Sequence, residues 1–124
     1  MEIILTDNII LSACIALGGL AMKSRADSSE RNIGFRTKRS LASDEAWRFA
    51  NSACGIRWLI LGIVSLVLTL VSVFIITPKI SASAALAVQA AILVHNISLS
   101  AAAVISVQHR LAIRQGEGSE RKNP

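Results

Sequence analysis

Three apolar stretches divide the chain, with polar segments between and after them. The first runs from residue 3 to 22, the second from 58 to 76, and the third from 82 to about 107. A helix rises about 1.5 Å per residue, so about 20 residues cross the roughly 30 Å hydrocarbon core of a bilayer. The pattern therefore predicts three transmembrane helices.

The first apolar stretch carries small residues on one helical face. Ser12, Ala16 and Gly19 follow the i, i+4, i+7 spacing of a single face. Small side chains let two helix backbones approach closely inside a membrane. We expect this face of the first helix to contact another helix.

A long polar segment, residues 23–57, joins the first two stretches. Within it Ser43 has the features of an N-cap, and the acidic pair Asp44 and Glu45 suits the positive end of a helix dipole. The apolar residues between Ala46 and Cys54 share one helical face. This pattern predicts an amphipathic helix that lies on the bilayer surface or packs on the ends of the spanning helices.

The remaining connections are simpler. Pro78 marks a tight turn between the second and third stretches, and the polar tail 114–124 is predicted to be disordered. The fold class is therefore all-α integral membrane. We expect a single membrane domain over residues 1–124, with three transmembrane helices plus one amphipathic interfacial helix in the cytoplasmic loop.

The distribution of basic residues predicts the orientation. Segment 23–57 holds eight of the 13 Lys and Arg residues and the region after residue 107 holds four, whereas the turn between the second and third spans holds only Lys79. Loops rich in Lys and Arg stay in the cytoplasm. We expect a multi-pass protein of the cell membrane with its N-terminus outside and its C-terminus in the cytoplasm.

The sequence contains no recognisable catalytic, phosphate-binding or metal-binding motif. Cys14 and Cys54 lack metal-ligand spacing, and no phosphate-binding loop or nucleophile–His arrangement occurs. We expect no catalytic residues, no cofactor and no metal, and therefore no enzyme. The basic segment is too short to carry a nucleic-acid-binding fold.

Two polar residues lie near the middle of the third stretch. His95 and Asn96 sit at a depth where polar side chains usually serve a function. The simpler interpretation is an interhelical hydrogen bond to Ser65, Thr69 or Ser12. A third interpretation, a small transporter or proton pathway, rests on His95, Asn96 and the nearby Gln89.

The polar segment also carries a signature. It consists of an Asn, then Gly-x-Arg-Thr, then a Ser-x-Glu-x-Trp helix start and a Gly before the second span, formed by Asn32, Gly34, Phe35, Arg36, Thr37, Ser40, Ser43, Glu45, Ala46, Trp47, Ala50, Asn51 and Gly55. In these residues the chain resembles the SdpI/YfhL family of small bacterial membrane proteins. The resemblance implies a polytopic protein of the bacterial cell membrane. The best-known type in that family is an immunity protein that protects a cell from a secreted toxic peptide and recruits a repressor to the membrane.

Several signature residues have a physical interpretation of their own. Gly34 permits backbone conformations closed to other residues, Arg36 can bind a lipid phosphate with two hydrogen bonds, and Trp47 suits the membrane interface. The candidates for partner or lipid binding are Asn32, Gly34, Arg36, Thr37, Trp47 and Asn51. The alternative is that the segment serves only membrane retention and topology.

These observations favour a protein that acts through protein contacts. Its expected partners are membrane lipid and either a membrane protein or a toxic peptide, with the immunity or sensing role implied by the resemblance. The competing hypothesis is an accessory subunit that stabilises a larger membrane complex.

Overall fold

The computed structural model describes the backbone of residues 2–122 and the side chains of residues 3–116. Three long helices dominate this part of the chain: α1 (Glu2–Arg25), α2 (Asp44–Val71) and α3 (Ala82–Lys122). Residues 2–122 contain no β-strand, so the predicted all-α class is confirmed. We call the end of the bundle with residues 26–43 the loop end, and the end with residues 72–81 the turn end.

All three helices are long and apolar enough to cross a membrane, as the sequence predicted. Large apolar side chains cover their outer surface, and Ile3, Phe74 and Ile105 are each more than two-thirds exposed. Their interior is instead built from small and polar side chains, including Ser12, Ser65, Thr69 and Asn96, all almost fully buried. A bundle with an apolar surface and a polar interior is stable in lipid, whereas in water the apolar surface would cause the molecules to associate.

Close backbone packing joins α1 to α2. A methyl group at Gly55 would lie 2.7 Å from the backbone nitrogen of Lys23 and 2.8 Å from the carbonyl oxygen of Gly19, closer than packing allows. About two helical turns further along α2, Gly62 lies directly against Ala16 of α1. The predicted small-residue face of α1 therefore makes the predicted helix contact.

The amphipathic stretch does not form a helix of its own, contrary to the prediction. Ser43 is the expected N-cap, and its Oγ accepts a hydrogen bond of 3.0 Å from the Ala46 N–H. From Asp44 the helix continues without interruption through Gly55 into the second apolar stretch. A single Gly is too weak a helix breaker to separate the two segments, because it costs only about 1 kcal/mol relative to Ala.

At the turn end α2 changes its hydrogen-bond pattern before it stops. Residues Ser72–Ile76 form a π-helical turn and Thr77–Lys79 a 3₁₀ turn that contains Pro78. Thr77 Oγ1 donates to the Ser72 carbonyl at 2.9 Å, which closes the wide turn. The predicted tight connection between the second and third spans lies here.

The third helix is longer than predicted. It passes the expected end near Val107 and continues to Lys122, so the disorder predicted for 114–124 is wrong as far as that residue; residues 123–124 lie outside the described part. Val107 and Leu111 are almost completely buried at the loop end, in a cluster with Cys54. Packing of Val107 and Leu111 against α2 and the loop stabilises this part of α3 as a helix, which the polar composition of the sequence does not predict.

Candidate functional site

The polar loop folds back onto the start of α2 through one buried amide. Asn51 Oδ1 accepts a hydrogen bond of 2.6 Å from the Phe35 N–H, and Asn51 Nδ2 donates to the Trp47 carbonyl at 3.0 Å. The preceding Gly34 has a φ of 130°, a backbone conformation that side chains rarely allow. A Cβ at Gly34 would also collide with Asn51 Oδ1. The Gly34–Asn51 pair thus determines the path of the loop.

A second set of hydrogen bonds ties the loop to α3. The Thr37 N–H donates to Ser40 Oγ at 2.8 Å, and Ser40 Oγ donates to the Phe35 carbonyl at 2.7 Å. Thr37 Oγ1 donates a hydrogen bond of 2.9 Å to Gln108 Oε1 on α3. Arg39 and Gln115 add a second contact with α3, in which Gln115 Nε2 donates to the Arg39 carbonyl at 2.9 Å. The loop therefore contacts two helices at once.

Trp47 faces the protein and not the lipid. Its side chain is 1% exposed, and its Nε1 donates to the Arg25 carbonyl at the end of α1 at 2.9 Å. The Arg31 guanidinium lies over the ring, 5.4 Å from its centroid, and also pairs with Asp44. The predicted interfacial position of Trp47 is wrong, because the long α2 carries it into the contact between loop and helices. Its hydrogen bond to the Arg25 carbonyl places the ring against the end of α1.

The six loop candidates separate into two groups. Four of them, Gly34, Thr37, Trp47 and Asn51, are in the contacts that fold the loop. Asn32 and Arg36 are exposed, and neither makes a hydrogen bond or ion pair with any side chain or backbone group of the described residues. The first group builds a surface, and the second is presented on it.

The predicted interhelical hydrogen bond inside the bundle is confirmed for Asn96. Its side chain is 1% exposed, accepts from Ser65 of α2 and donates to Ser12 Oγ of α1 at 3.5 Å. His95, the adjacent candidate, is exposed on the outside of α3. Asn96 therefore joins all three helices, whereas His95 takes no part in this contact.

A second polar layer lies nearer the turn end, and its Asn8 was not among the residues singled out from the sequence. Asn8 Nδ2 donates to Gln89 Oε1 at 2.8 Å and to the Gln89 carbonyl at 3.0 Å, and Gln89 Nε2 donates to Ser72 Oγ at 2.6 Å. Asn8 is completely buried. The available signal was spacing, since Asn8 and Ser12 lie four residues apart on one helical face.

Both polar layers consist of amide and hydroxyl groups only. Such groups exchange hydrogen bonds but do not change charge near neutral pH. In a low-dielectric interior their main effect is to hold the helices in one arrangement, because a broken contact leaves an unpaired polar group. The layers therefore support a structural interpretation of Asn96 and Gln89, whereas His95 belongs to neither layer.

Comparison with known proteins bears on the family of the chain. No curated protein and no solved structure matches the chain. A family model matches residues 28–107, a range that begins in the loop, includes all of α2 and ends at the buried Val107. The matched range contains every signature residue noted above and more than half of the chain. The chain therefore belongs to the SdpI/YfhL protein family.

Proposed function

We propose that this protein is a non-enzymatic, multi-pass protein of the bacterial cell membrane that acts through protein contacts. The role suggested by the best-known type in its family is immunity to a toxic peptide, or sensing of that peptide. The loop end is the proposed contact surface, with the toxic peptide or a membrane protein as its partner.

One observation carries this proposal: the family signature spans the loop and the first turns of α2, and this loop is folded against the helices. Asn51 and Thr37 hold it against α2 and α3, while Asn32, Arg36 and Lys38 remain exposed. A fixed backbone with exposed polar side chains suits recognition, because little conformational entropy is lost when a partner binds. A loop that served only as a topology signal would need charge but no defined shape.

Basic residues support a cytoplasmic position for the loop end. A reporter fused after Arg114 should be active in its cytoplasmic form, and a reporter fused at Lys79 in its external form. The opposite pattern would place the loop end outside and would contradict this part of the proposal.

A growth experiment tests the function itself. A strain without the gene is grown in medium conditioned by its wild-type parent, and complemented with the wild-type chain, with Asn51→Leu or with Lys79→Ala. We expect the deletion strain to be inhibited, and the wild-type chain and Lys79→Ala to restore growth. Asn51→Leu should fail although it keeps every basic residue, because it releases the loop.

Two results would contradict the proposal. Normal growth of the deletion strain in conditioned medium would argue against immunity. Full protection by Asn51→Leu, with the protein present at wild-type level, would argue against recognition by a shaped loop. Normal growth together with stoichiometric co-purification of a larger membrane complex in mild detergent would favour the accessory-subunit hypothesis.

A further inference from the structure

A groove of about 370 Å³ opens at the loop end, between the loop and the three long helices. Its floor and walls are mainly apolar, and Arg36 lies at its rim. The lining includes Gly18, Ala21, Phe35, Arg36, Trp58 and Val104. The groove therefore extends from the membrane-spanning parts of the helices to the basic loop.

The apolar part of the groove lies beside an indole ring. A methyl group at Gly18 would come within 3.4 Å of Trp58 Cε3, so the ring lies directly against a bare stretch of α1. Trp58 is half-buried, and its Nε1 donates to the Ser100 carbonyl at 3.3 Å. This hydrogen bond fixes the ring orientation and leaves an apolar surface for a ligand.

The positive charge at the rim of the groove is not paired with any of the described residues. Arg36 makes no hydrogen bond or ion pair with any described residue, and no acidic side chain lines the groove. Most other arginines of the loop end already have a partner within the chain. These are Arg25 with Glu30, Arg31 with Asp44, Arg48 with Asp27, Arg39 with Gln115 and Arg57 with Ser106.

We propose that this groove binds one anionic phospholipid, with an acyl chain along Gly18 and Trp58 and its phosphate at Arg36. A guanidinium can bind a phosphate through two parallel hydrogen bonds, which matches the free fork of Arg36. The apolar lining favours an amphiphile over a free anion, because an inorganic phosphate would leave most of the groove empty. This inference is independent of the proposed function, since it concerns purified protein and lipid only.

Quenching of Trp58 fluorescence by brominated lipid tests the proposal. The chain has two Trp residues, and Trp47 is 1% exposed, so Trp58 is the one that a lipid chain can reach. Purified protein in phosphatidylcholine nanodiscs receives increasing fractions of phosphatidylglycerol or phosphatidylcholine with the same brominated chains. We expect phosphatidylglycerol to quench at an about fivefold to tenfold lower mole fraction, the effect of one well-placed cation. Trp58→Phe, which leaves only the buried indole, measures the background.

Matched variants separate the phosphate contact from general charge. Arg36→Ala should remove the preference for phosphatidylglycerol, whereas Lys38→Ala, which changes an exposed loop cation outside the groove lining, should keep it. Ala21→Phe fills the groove and should reduce quenching by both lipids. Ala102→Phe, at an exposed position on α3 outside the lining, should not.

Three outcomes would overturn the assignment. Equal quenching by the two lipids would remove the headgroup preference, and equal losses in Arg36→Ala and Lys38→Ala would indicate diffuse attraction. Abolition of the preference by millimolar inorganic phosphate would identify a site for a free anion. Variants whose helical circular dichroism differs from wild type are replaced by Arg36→Gln, for which the same results are expected.

Discussion

Replacing Asn51 with Leu isolates the hydrogen bond that holds the loop. Leu has a similar volume, but it cannot accept from the Phe35 N–H, which Asn51 Oδ1 now does at 2.6 Å. The carbonyl of Trp47 lies inside α2 and keeps its backbone hydrogen bond, so the Phe35 amide is the group left unpaired. A buried unpaired amide costs about 1–3 kcal/mol, and about 2 kcal/mol corresponds to an about thirtyfold larger population of undocked loop.

Hydrogen exchange of the loop amides, followed by mass spectrometry in detergent micelles, measures this population directly. We expect peptides that contain Phe35 and Thr37 to exchange about thirtyfold faster in Asn51→Leu, while peptides within α1 stay unchanged. Asn32→Leu is the matched control, because Asn32 is exposed and bonded to none of the described residues. Exchange in Asn51→Leu within about threefold of wild type would refute the role of Asn51 in docking the loop.

Five further substitutions, at four positions, probe the loop and the bundle interior by denaturation in detergent. Gly34→Ala should lower the free energy of unfolding by about 1–3 kcal/mol, because it combines a φ of 130° with a collision against Asn51; an unchanged midpoint would contradict this. Trp47→Phe should cost about 1 kcal/mol for one lost hydrogen bond, and Trp47→Ala about 3–5 kcal/mol, so equal losses would argue against burial of the ring. Asn96→Leu should lower the free energy of unfolding by about 1 kcal/mol, whereas His95→Leu should leave it unchanged. The reverse order would indicate that His95, and not Asn96, makes the stabilising contact.

Membrane physics explains why the spanning helices were predictable. A helix needs about 20 apolar residues in one run to cross a bilayer, and within a single segment of chain it satisfies all of its backbone hydrogen bonds there. The turn around Pro78 was equally readable, because proline ends a helix by local chemistry. The start of α2 followed from Ser43, whose side chain caps Ala46 as expected.

The loop end was harder to predict, because its structure depends on long-range contacts. Phe35 and Asn51 are 16 residues apart in the sequence, and Thr37 and Gln108 are 71 residues apart. No local sequence pattern therefore predicts either hydrogen bond. The inward position of Trp47 depends in the same way on the unbroken course of α2. Signature residues such as Gly34 and Asn51 could be recognised as special in the sequence, but their physical reason is visible only in the fold.

The two polar layers also define the register of the bundle. Ser65 on α2 and Ser72 at the start of the π-helical turn that follows it are seven residues apart, as Gln89 and Asn96 are on α3. A slip of either segment by one helical turn would therefore misalign both layers together. Apolar contacts alone would accept several such slipped pairings, since lipid-facing side chains are interchangeable in shape. During insertion the amides thus select one pairing from many, and we expect substitutions at Ser65 and Asn96, or at Ser72 and Gln89, to be tolerated mainly as matched pairs.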